Sequence, residues 1–468
     1  MNFFDGISQY GNSLALITEE SDKITYQQIL QDADKIKEQI KGRCLVFCIC
    51  QNSFESIAGY IGFLRGRIVP VMLSSSMKPE MLNKLLQAYK PNYIWAPHTF
   101  CPDHIETGLE IVHSLNQYVL LKTQYLNDYK LHDELAMLLT TSGSTGSPKL
   151  VRISYTNIRS NTEAISNYLE INQTDRSITT MPMNYTYGLS IINSHLFKGA
   201  SLIVTSKTLM DKAFWELLKE HKATSFGGVP YIYEMLKKLR FERMQLPSLR
   251  VLTQAGGKME LELFREISSV CESKNISFIS MYGQTEATAR MAYLPKEYIA
   301  EKAGSIGIAI PDGRFWLEDE GGNLITESET IGELVYEGKN VSMGYADTFH
   351  DLAKGDVHQG ILRTGDLAKR DSDGFYYIVG RKSRFLKLFG NRLNLDELEN
   401  LLKSAGFDCV CTGNDNLLKI YLVNKNSDEE LKRFLLTKTE VNPNGFRIHL
   451  IDSIPYSESG KVLYSALA

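Results

Sequence analysis

The chain has 468 residues, a formal net charge of −4, 43% hydrophobic residues and 23% charged residues. That length leaves room for roughly two to four structural units with buried cores. The near-neutral balance gives no electrostatic reason to expect nucleic acid or an anionic membrane as the main partner.

The opening MNFFDGISQYGNS has no basic stretch followed by an apolar core, so no secretory leader is expected. No apolar run approaches the roughly 20 residues of a membrane helix, so no membrane span is expected either. ITYQQILQDADKIKEQIK carries apolar residues at three- and four-residue spacing, the pattern of an amphipathic helix, and RCLVFCICQN reads as a short buried strand. Cys44, Cys48 and Cys50 in that strand, like Cys409 and Cys411 in FDCVCTG, sit in apolar runs with no CxxC or histidine pair. They read as core residues rather than metal ligands, and a reducing, cytoplasmic compartment fits them.

SFESIAGYIGFLRGRIVPVML predicts a helix, a turn at Gly66 and a strand, and MLNKLLQAYKPNYIWAP repeats that order. Such alternation predicts an α/β fold whose parallel sheets are covered by helices. Further on, TNIRSNTEAISNYLEI predicts a helix capped by Thr156 or Asn157, and GASLIVTS a strand. KTLMDKAFWELLKEHKATSFGGVPYIYEMLKKL predicts helix, strand, break and helix, while LRVLTQAGG and ISFISMYGQTEAT each predict a buried strand running into a loop. After about Gly304, short strands with frequent Gly and Asp turns suggest a small β-rich unit. Beyond Gly380, LDELENLLKSA, CVCTG, LKIYLVN and SDEELKRFLLT suggest a small α+β domain. The expected division is therefore 1–380, with a β-rich subdomain over roughly 304–380, and 384–468, joined by a short polar hinge at 381–384.

Between the apolar MLL and the strand-like LVRIS lies TTSGSTGSPK, an unbroken run of Ser, Thr and Gly from Thr140 to Gly146 with Lys149 after it. Glycines let backbone N–H groups approach an anion, hydroxyls add neutral donors, and the lysine adds charge: together a phosphate cradle. The nucleoside-triphosphatase pattern G-x-x-x-x-G-K-[ST] does not fit. Gly143 and Gly146 are too close, and Pro148 stands directly before the lysine.

TTSGSTGSPK, MYGQTEAT, LRTGDLAKRDSDGFYYIVGR, LKLFGNRLNLDELE and IPYSESGKVLYSAL occur in that order along the chain. The ordered set resembles the AMP-forming adenylating enzymes, which include acyl-CoA synthetases, luciferases and the adenylation domains of peptide synthetases. The resemblance extends essentially end to end. It implies ATP and Mg²⁺ as reactants, a large N-terminal domain, a small mobile C-terminal lid, and two half-reactions: acyl-adenylate formation, then transfer to a thiol.

By this resemblance Thr141, Ser142, Gly143, Ser144, Thr145 and Gly146 would wrap the β- and γ-phosphates, with Lys149 assisting pyrophosphate release. Tyr282 would stack on adenine, Thr285 would hydrogen-bond the α-phosphate, and Glu286 would hold Mg²⁺. Taken alone, Glu286 reads as a solvated carboxylate. Gly256 and Gly257 would wall the adenine pocket or form a plain turn. Asp366 would accept hydrogen bonds from the ribose hydroxyls, with Arg381 beside it. Lys461 would neutralise charge developing between the attacking carboxylate and the α-phosphate. For the thiol step, Gly390 and Arg392 in FGNR would approach the site after the lid rotates. Ser383 occupies the hinge position where the family usually has Asp or Lys.

TTMPMNYTYGLSIINSHLFKGA corresponds to the start of the acyl pocket, with Tyr185, Tyr187 and Gly188 as its candidate residues. Tyr185 reads equally as a gating aromatic or a core tyrosine. The segment holds no carboxylate to pair a substrate ammonium, which favours a small carboxylic acid without an α-amine. The acceptor would be CoA or a phosphopantetheinyl carrier protein. The alternatives are an amino-acid adenylation enzyme loading a carrier protein and a non-catalytic ATP- or acyl-binding relative.

Overall fold

A computed structural model describes residues 3–100, 109–125, 129–140, 149–388, 391–414, 417–423, 428–438, 445–456 and 462–467. The chain divides into two compact units, Met1–Arg314 with Tyr336–Leu362, and Phe315–Val335 with Arg363–Ala468.

The first unit holds two large sheets. One has nine strands, in the order Ile308–Ala309, Ala292–Tyr293, Ser277–Tyr282, Val251–Gln254, Ser225–Gly228, Arg176–Ile178, Ser201–Ile203, Leu14–Ile17 and Lys23–Thr25. The other has eight, in the order Tyr345–Ala346, Leu150–Ser154, Leu135–Thr140, Val69–Ser74, Leu45–Cys50, Tyr93–Pro97, Tyr118–Lys122 and Glu110–Leu115. Both are parallel in the middle and antiparallel at the edges. Continuous apolar runs such as Leu45–Cys50, buried at every position, belong to such doubly covered strands. The helix–strand alternation read from the sequence is thus the α/β fold observed.

Helices between the sheets share one core. Phe54–Arg65 is buried at all but its last position and accommodates Trp95 against Gly59. The helix Tyr26–Glu38 starts with a capping box, Thr25 accepting from the Gln28 N–H and Gln28 Oε1 accepting from the Thr25 N–H. A second box corrects the expected cap at Thr156 or Asn157. The N-cap of Tyr155–Tyr168 is Ser154, which leaves its strand in an extended conformation and accepts from the Asn157 N–H at 3.0 Å. Asn157 Oδ1 returns to the Ser154 N–H at 2.8 Å, and its Nδ2 donates to the carbonyls of Lys339 and Val341.

The second unit holds most of a five-stranded sheet, in the order Leu324–Ile325, Arg314–Glu318, Gly332–Glu337, Ile361–Arg370 and Tyr376–Arg381. It also holds a hairpin, Phe385–Leu388 with Asn391–Asn394, and a three-stranded sheet flanked by the helices Leu395–Ser404 and Asp428–Lys438. Ser383 lies exposed in the short turn Lys382–Arg384. The next residue, Arg384, is tied down. It pairs with Asp396 and Glu399, donates to the Cys411 carbonyl and lies over the Tyr464 ring at 4.0 Å. Among the described residues, no helix is long and apolar enough to cross a membrane.

His195, on the helix Thr186–Phe197, is 5% exposed and shares Nδ1 with the Ile191 carbonyl at 2.9 Å. Burial pushes its pKa down to about 4 from an ordinary 6.5, with the carbonyl opposing the shift. Between those values the unfolded chain binds a proton that the folded chain refuses. The contribution to stability is therefore present above 6.5 and lost as the pH falls towards 4. Urea unfolding at about pH 7.5 and about pH 4.5 should show an acid-induced loss larger by about 2–3 kcal/mol in the wild type than in His195→Asn. Coincident profiles would contradict a buried neutral imidazole.

Candidate active site

The Ser/Thr/Gly run joins two antiparallel strands, Leu135–Thr140 and Leu150–Ser154, which pair Thr140 with Leu150. Residues 141–148 lie outside the described residues, as do Gly390 and Lys461. Arg392 lies in the strand Asn391–Asn394. The first described residue after the run is Lys149, whose Nζ stands 3.8 Å over the ring centre of Tyr345. Tyr345 sits on the neighbouring edge strand, paired with Val151. Its hydroxyl donates to Glu286 Oε1 at 2.7 Å. One aromatic ring thus carries the expected lysine on its face and the expected carboxylate on its hydroxyl. Burial, and then the nearby Glu286 charge, push the Tyr345 pKa above its ordinary value, so the phenol remains a donor.

Glu286 sits on the short turn Thr285–Ala287, which follows the strand Ser277–Tyr282. The segment 340–345 clasps this turn. Ser342 N–H donates to the Glu286 carbonyl at 2.8 Å, Asn340 Nδ2 to the Ala287 carbonyl at 3.0 Å, and Thr288 Oγ1 to the Asn340 carbonyl at 2.7 Å. Asn157 holds the clasp from behind through Lys339 and Val341. Thr285, Glu286 and Tyr282 are all half-buried. The turn depends on Gly283, where an added Cβ would stand 1.8 Å from the Ala289 carbonyl oxygen.

Gly256 takes φ +84°, and a Cβ there would meet the Tyr185 hydroxyl at 2.6 Å. Gln254 fixes this loop, donating to the Gly257 carbonyl at 2.8 Å and accepting from Ser280 Oγ at 3.0 Å. Tyr185 is half-buried at the N-terminus of Thr186–Phe197, edge-on to Tyr187 with ring centres 6.4 Å apart. Tyr187 is 3% exposed, and its hydroxyl meets the Thr253 carbonyl at 2.7 Å and Thr253 Oγ1 at 2.8 Å. Burial pushes its pKa up to about 12. Gly188 lets the same helix approach the Pro182 carbonyl, which a Cβ would meet at 2.2 Å.

In the second unit, Asp366 and Arg381 are register partners on antiparallel strands, with Arg381 Nε 3.2 Å from Asp366 Oδ1. The Asp366 side chain is buried while Arg381 is largely exposed, so the pair presents a desolvated carboxylate beside a solvated guanidinium.

Tyr345 escaped the sequence reading. Its signal is an aromatic just after Gly344, φ +99°, on a strand of only two residues, too short for strand periodicity to mark it.

A family model described as AMP-binding enzyme matches residues 3–346. The chain belongs to this AMP-binding enzyme family. Among its curated relatives, a 2-succinylbenzoate–CoA ligase of Bacillus cereus (strain Q1) is 29% identical over 278 residues, 58% of this chain and 55% of that protein. The chain therefore spans about half the length of that relative. A second such ligase, from Bacillus cytotoxicus, is 26% identical over 409 residues, covering 84% of this chain and 80% of that protein. The o-succinylbenzoate CoA synthetase of Bacillus subtilis, solved with its acyl-adenylate intermediate, superposes with a TM-score of 0.80 at 22% identity, covering 100% of this chain and 97% of that one. ATP-bound MatB from Rhodopseudomonas palustris gives 0.80 at 20%, covering 100% and 98%. The chain has the fold of these enzymes.

Gly283→Ala should displace the turn that carries Thr285 and Glu286. Thermal or urea unfolding should register a loss of at least about 2 kcal/mol, because backbone rather than a flexible side chain must give way. An unperturbed variant would contradict the tight approach of Ala289.

Proposed function

We propose that this chain activates a small carboxylic acid with ATP and passes the acyl group to a thiol. A carboxylate oxygen attacks the α-phosphorus and pyrophosphate leaves. The thiol sulfur then attacks the acyl carbon, losing its proton, and AMP leaves with the bonding electron pair. The observation that carries this reading is the Lys149–Tyr345–Glu286 cluster at the root of the hydroxyl-rich run, in a chain of the AMP-binding family.

The first step brings an anionic nucleophile to a polyanion, so oriented donors and cations must offset repulsion. Thr141–Gly146 would supply donors to the β- and γ-phosphates, Thr285 a hydroxyl to the α-phosphate, and Lys149 a cation for departing pyrophosphate. Glu286 fits a Mg²⁺ ligand: a hard, half-buried carboxylate with one oxygen oriented by Tyr345 and the other free of protein hydrogen bonds among the described residues. Bound there, the ion would supply charge neutralisation for the phosphates. Tyr282, Gly256 and Gly257 would frame adenine, Asp366 and Arg381 the ribose, and Tyr185, Tyr187 and Gly188 the acyl group.

Lys461 would come from the C-terminal segment, with 381–384 as hinge between 1–380 and 384–468, and Gly390 and Arg392 would face the thiol after rotation. CoA is the acceptor printed in the relatives' names, which supports it over a carrier protein. The buried thiols Cys48, Cys50, Cys409 and Cys411 support a cytoplasmic location.

Carboxylate-dependent ATP–pyrophosphate exchange across a panel of acids tests the reading. Exchange with acids lacking an α-amine is expected. Exchange with amino acids alone would transfer the assignment to amino-acid adenylation, and ATP binding without exchange to a non-catalytic relative. Lys461→Ala should abolish adenylate formation yet spare thioester formation from preformed adenylate. Equal loss of both steps would contradict its assignment.

A further inference from the structure

Two buried arginines of the first unit are treated differently by their surroundings. Arg152, 0% exposed, directs its guanidinium to the carbonyls of Tyr345, Lys354, Met343 and Gly355. Arg290 is 2% exposed and uses only Nη1, towards Tyr168 Oη and Met281 Sδ, each at 3.2 Å. Its Nε and Nη2 have no hydrogen-bond partner among the described residues. The Tyr187 ring lies 5.0 Å from the guanidinium carbon. A ring face attracts the charge but accepts none of the N–H groups in the guanidinium plane. Arginine does not shed its proton on burial, so the charge stays.

The surroundings supply no counter-charge. Arg290 lines a cavity of about 30 Å³ whose other titratable lining groups are Asp175 and His195. Asp175 is engaged elsewhere. Its Oδ1 takes Arg250 Nη2 at 2.6 Å and Thr224 Oγ1 at 3.1 Å, and its Oδ2 takes the Asn172 N–H at 2.9 Å. His195 is neutral near pH 7, because burial pushes its pKa down to about 4. A buried cation without an anionic partner is costly, more so than a buried pair.

One lining hydroxyl is also unused. Ser177 Oγ donates to the Ser225 carbonyl at 3.2 Å, Ser194 Oγ to the Ile191 carbonyl at 3.2 Å, and Thr253 Oγ1 meets the Tyr187 hydroxyl at 2.8 Å. Ser225 Oγ, on a residue 9% exposed, has no partner among the described residues. The cavity is thus lined by a cation with two spare donors and by a hydroxyl with a third. Its volume suits about two waters, or one monatomic anion, and is too small for the four oxygens of sulfate or phosphate. Water could accept the spare N–H groups but would leave the charge unbalanced.

We propose that this cavity is a structural halide site, in which a chloride ion accepts from Arg290 Nε and Nη2 and from Ser225 Oγ. The inference is independent of the adenylation reading. Asn161 and Asn340 donate to the Arg290 carbonyl at 2.8 and 3.1 Å, which fixes the backbone from which the guanidinium extends. An ion held by the folded chain and not by the unfolded one raises stability with its concentration.

Thermal unfolding in sodium chloride, bromide or gluconate, each at about 100 mM, compares the anions at one ionic strength. The midpoint in chloride or bromide should exceed that in gluconate by about 2 °C or more and saturate with concentration. Arg290→Gln should abolish the difference, and Ser225→Ala should reduce it. Sulfate, which acts by exclusion from the surface, should shift wild type and Arg290→Gln alike. Crystals grown in bromide should show an anomalous peak in the cavity beside Arg290. If Arg290→Gln fails to fold, the wild-type shift and the bromide crystal decide together. Equal midpoints in all three salts, or an undiminished halide shift in Arg290→Gln, would overturn the proposal. So would a cavity holding ordered water without anomalous signal. A peak seen only at high bromide, with no stabilisation at lower concentration, would mean an adventitious ion only and would overturn it too.

Discussion

A single phenol organises the charged part of the candidate site. Tyr345 offers its ring face to Lys149 and its hydroxyl to Glu286, so a cation and a carboxylate share one rigid spacer instead of pairing with each other. A direct ion pair would satisfy both groups and leave little reason for either to engage a ligand. A ring-face contact holds the ammonium loosely, at about 0.5–2 kcal/mol, while a hydrogen bond to one carboxylate oxygen orients the other. Polyphosphate and metal chemistry require both groups to remain available.

The fold supplies the rigidity behind that spacer. Tyr345 lies on the edge of the eight-stranded sheet, and Glu286 on a turn at the end of a strand of the nine-stranded sheet. The clasp at 339–345 joins the two, held by Asn157 and Asn340. Asn340 also donates to the Arg290 carbonyl. One buried amide therefore fixes both the turn bearing Glu286 and the backbone at Arg290.

Strands such as Leu45–Cys50 and helices such as Tyr26–Glu38 were legible because burial on two faces, or on one, leaves a periodic imprint. The hairpin Glu110–Leu115 with Tyr118–Lys122 was not, since its outer strand is half exposed and mixes Glu110, His113 and Ser114 among apolar residues. The cap at Ser154 was missed because Thr156 and Asn157 are equally good cap residues, and only the strand's end decides among them. Motif residues such as Glu286 and Lys149 were visible as types in order. Tyr345 was not, because its position in the cluster arises from contacts between distant segments, fifty-nine positions apart for Tyr345 and Glu286.

The proposed chemistry begins with a carboxylate attacking the α-phosphorus of ATP. Incubation with ATP and an acid labelled with ¹⁸O in its reacting carboxylate, followed by mass analysis of the nucleotide after acyl transfer, tests that attack directly. One labelled oxygen in AMP and none in pyrophosphate is the expected result of that chemistry. Label in inorganic phosphate alongside ADP, or unlabelled AMP, would contradict it.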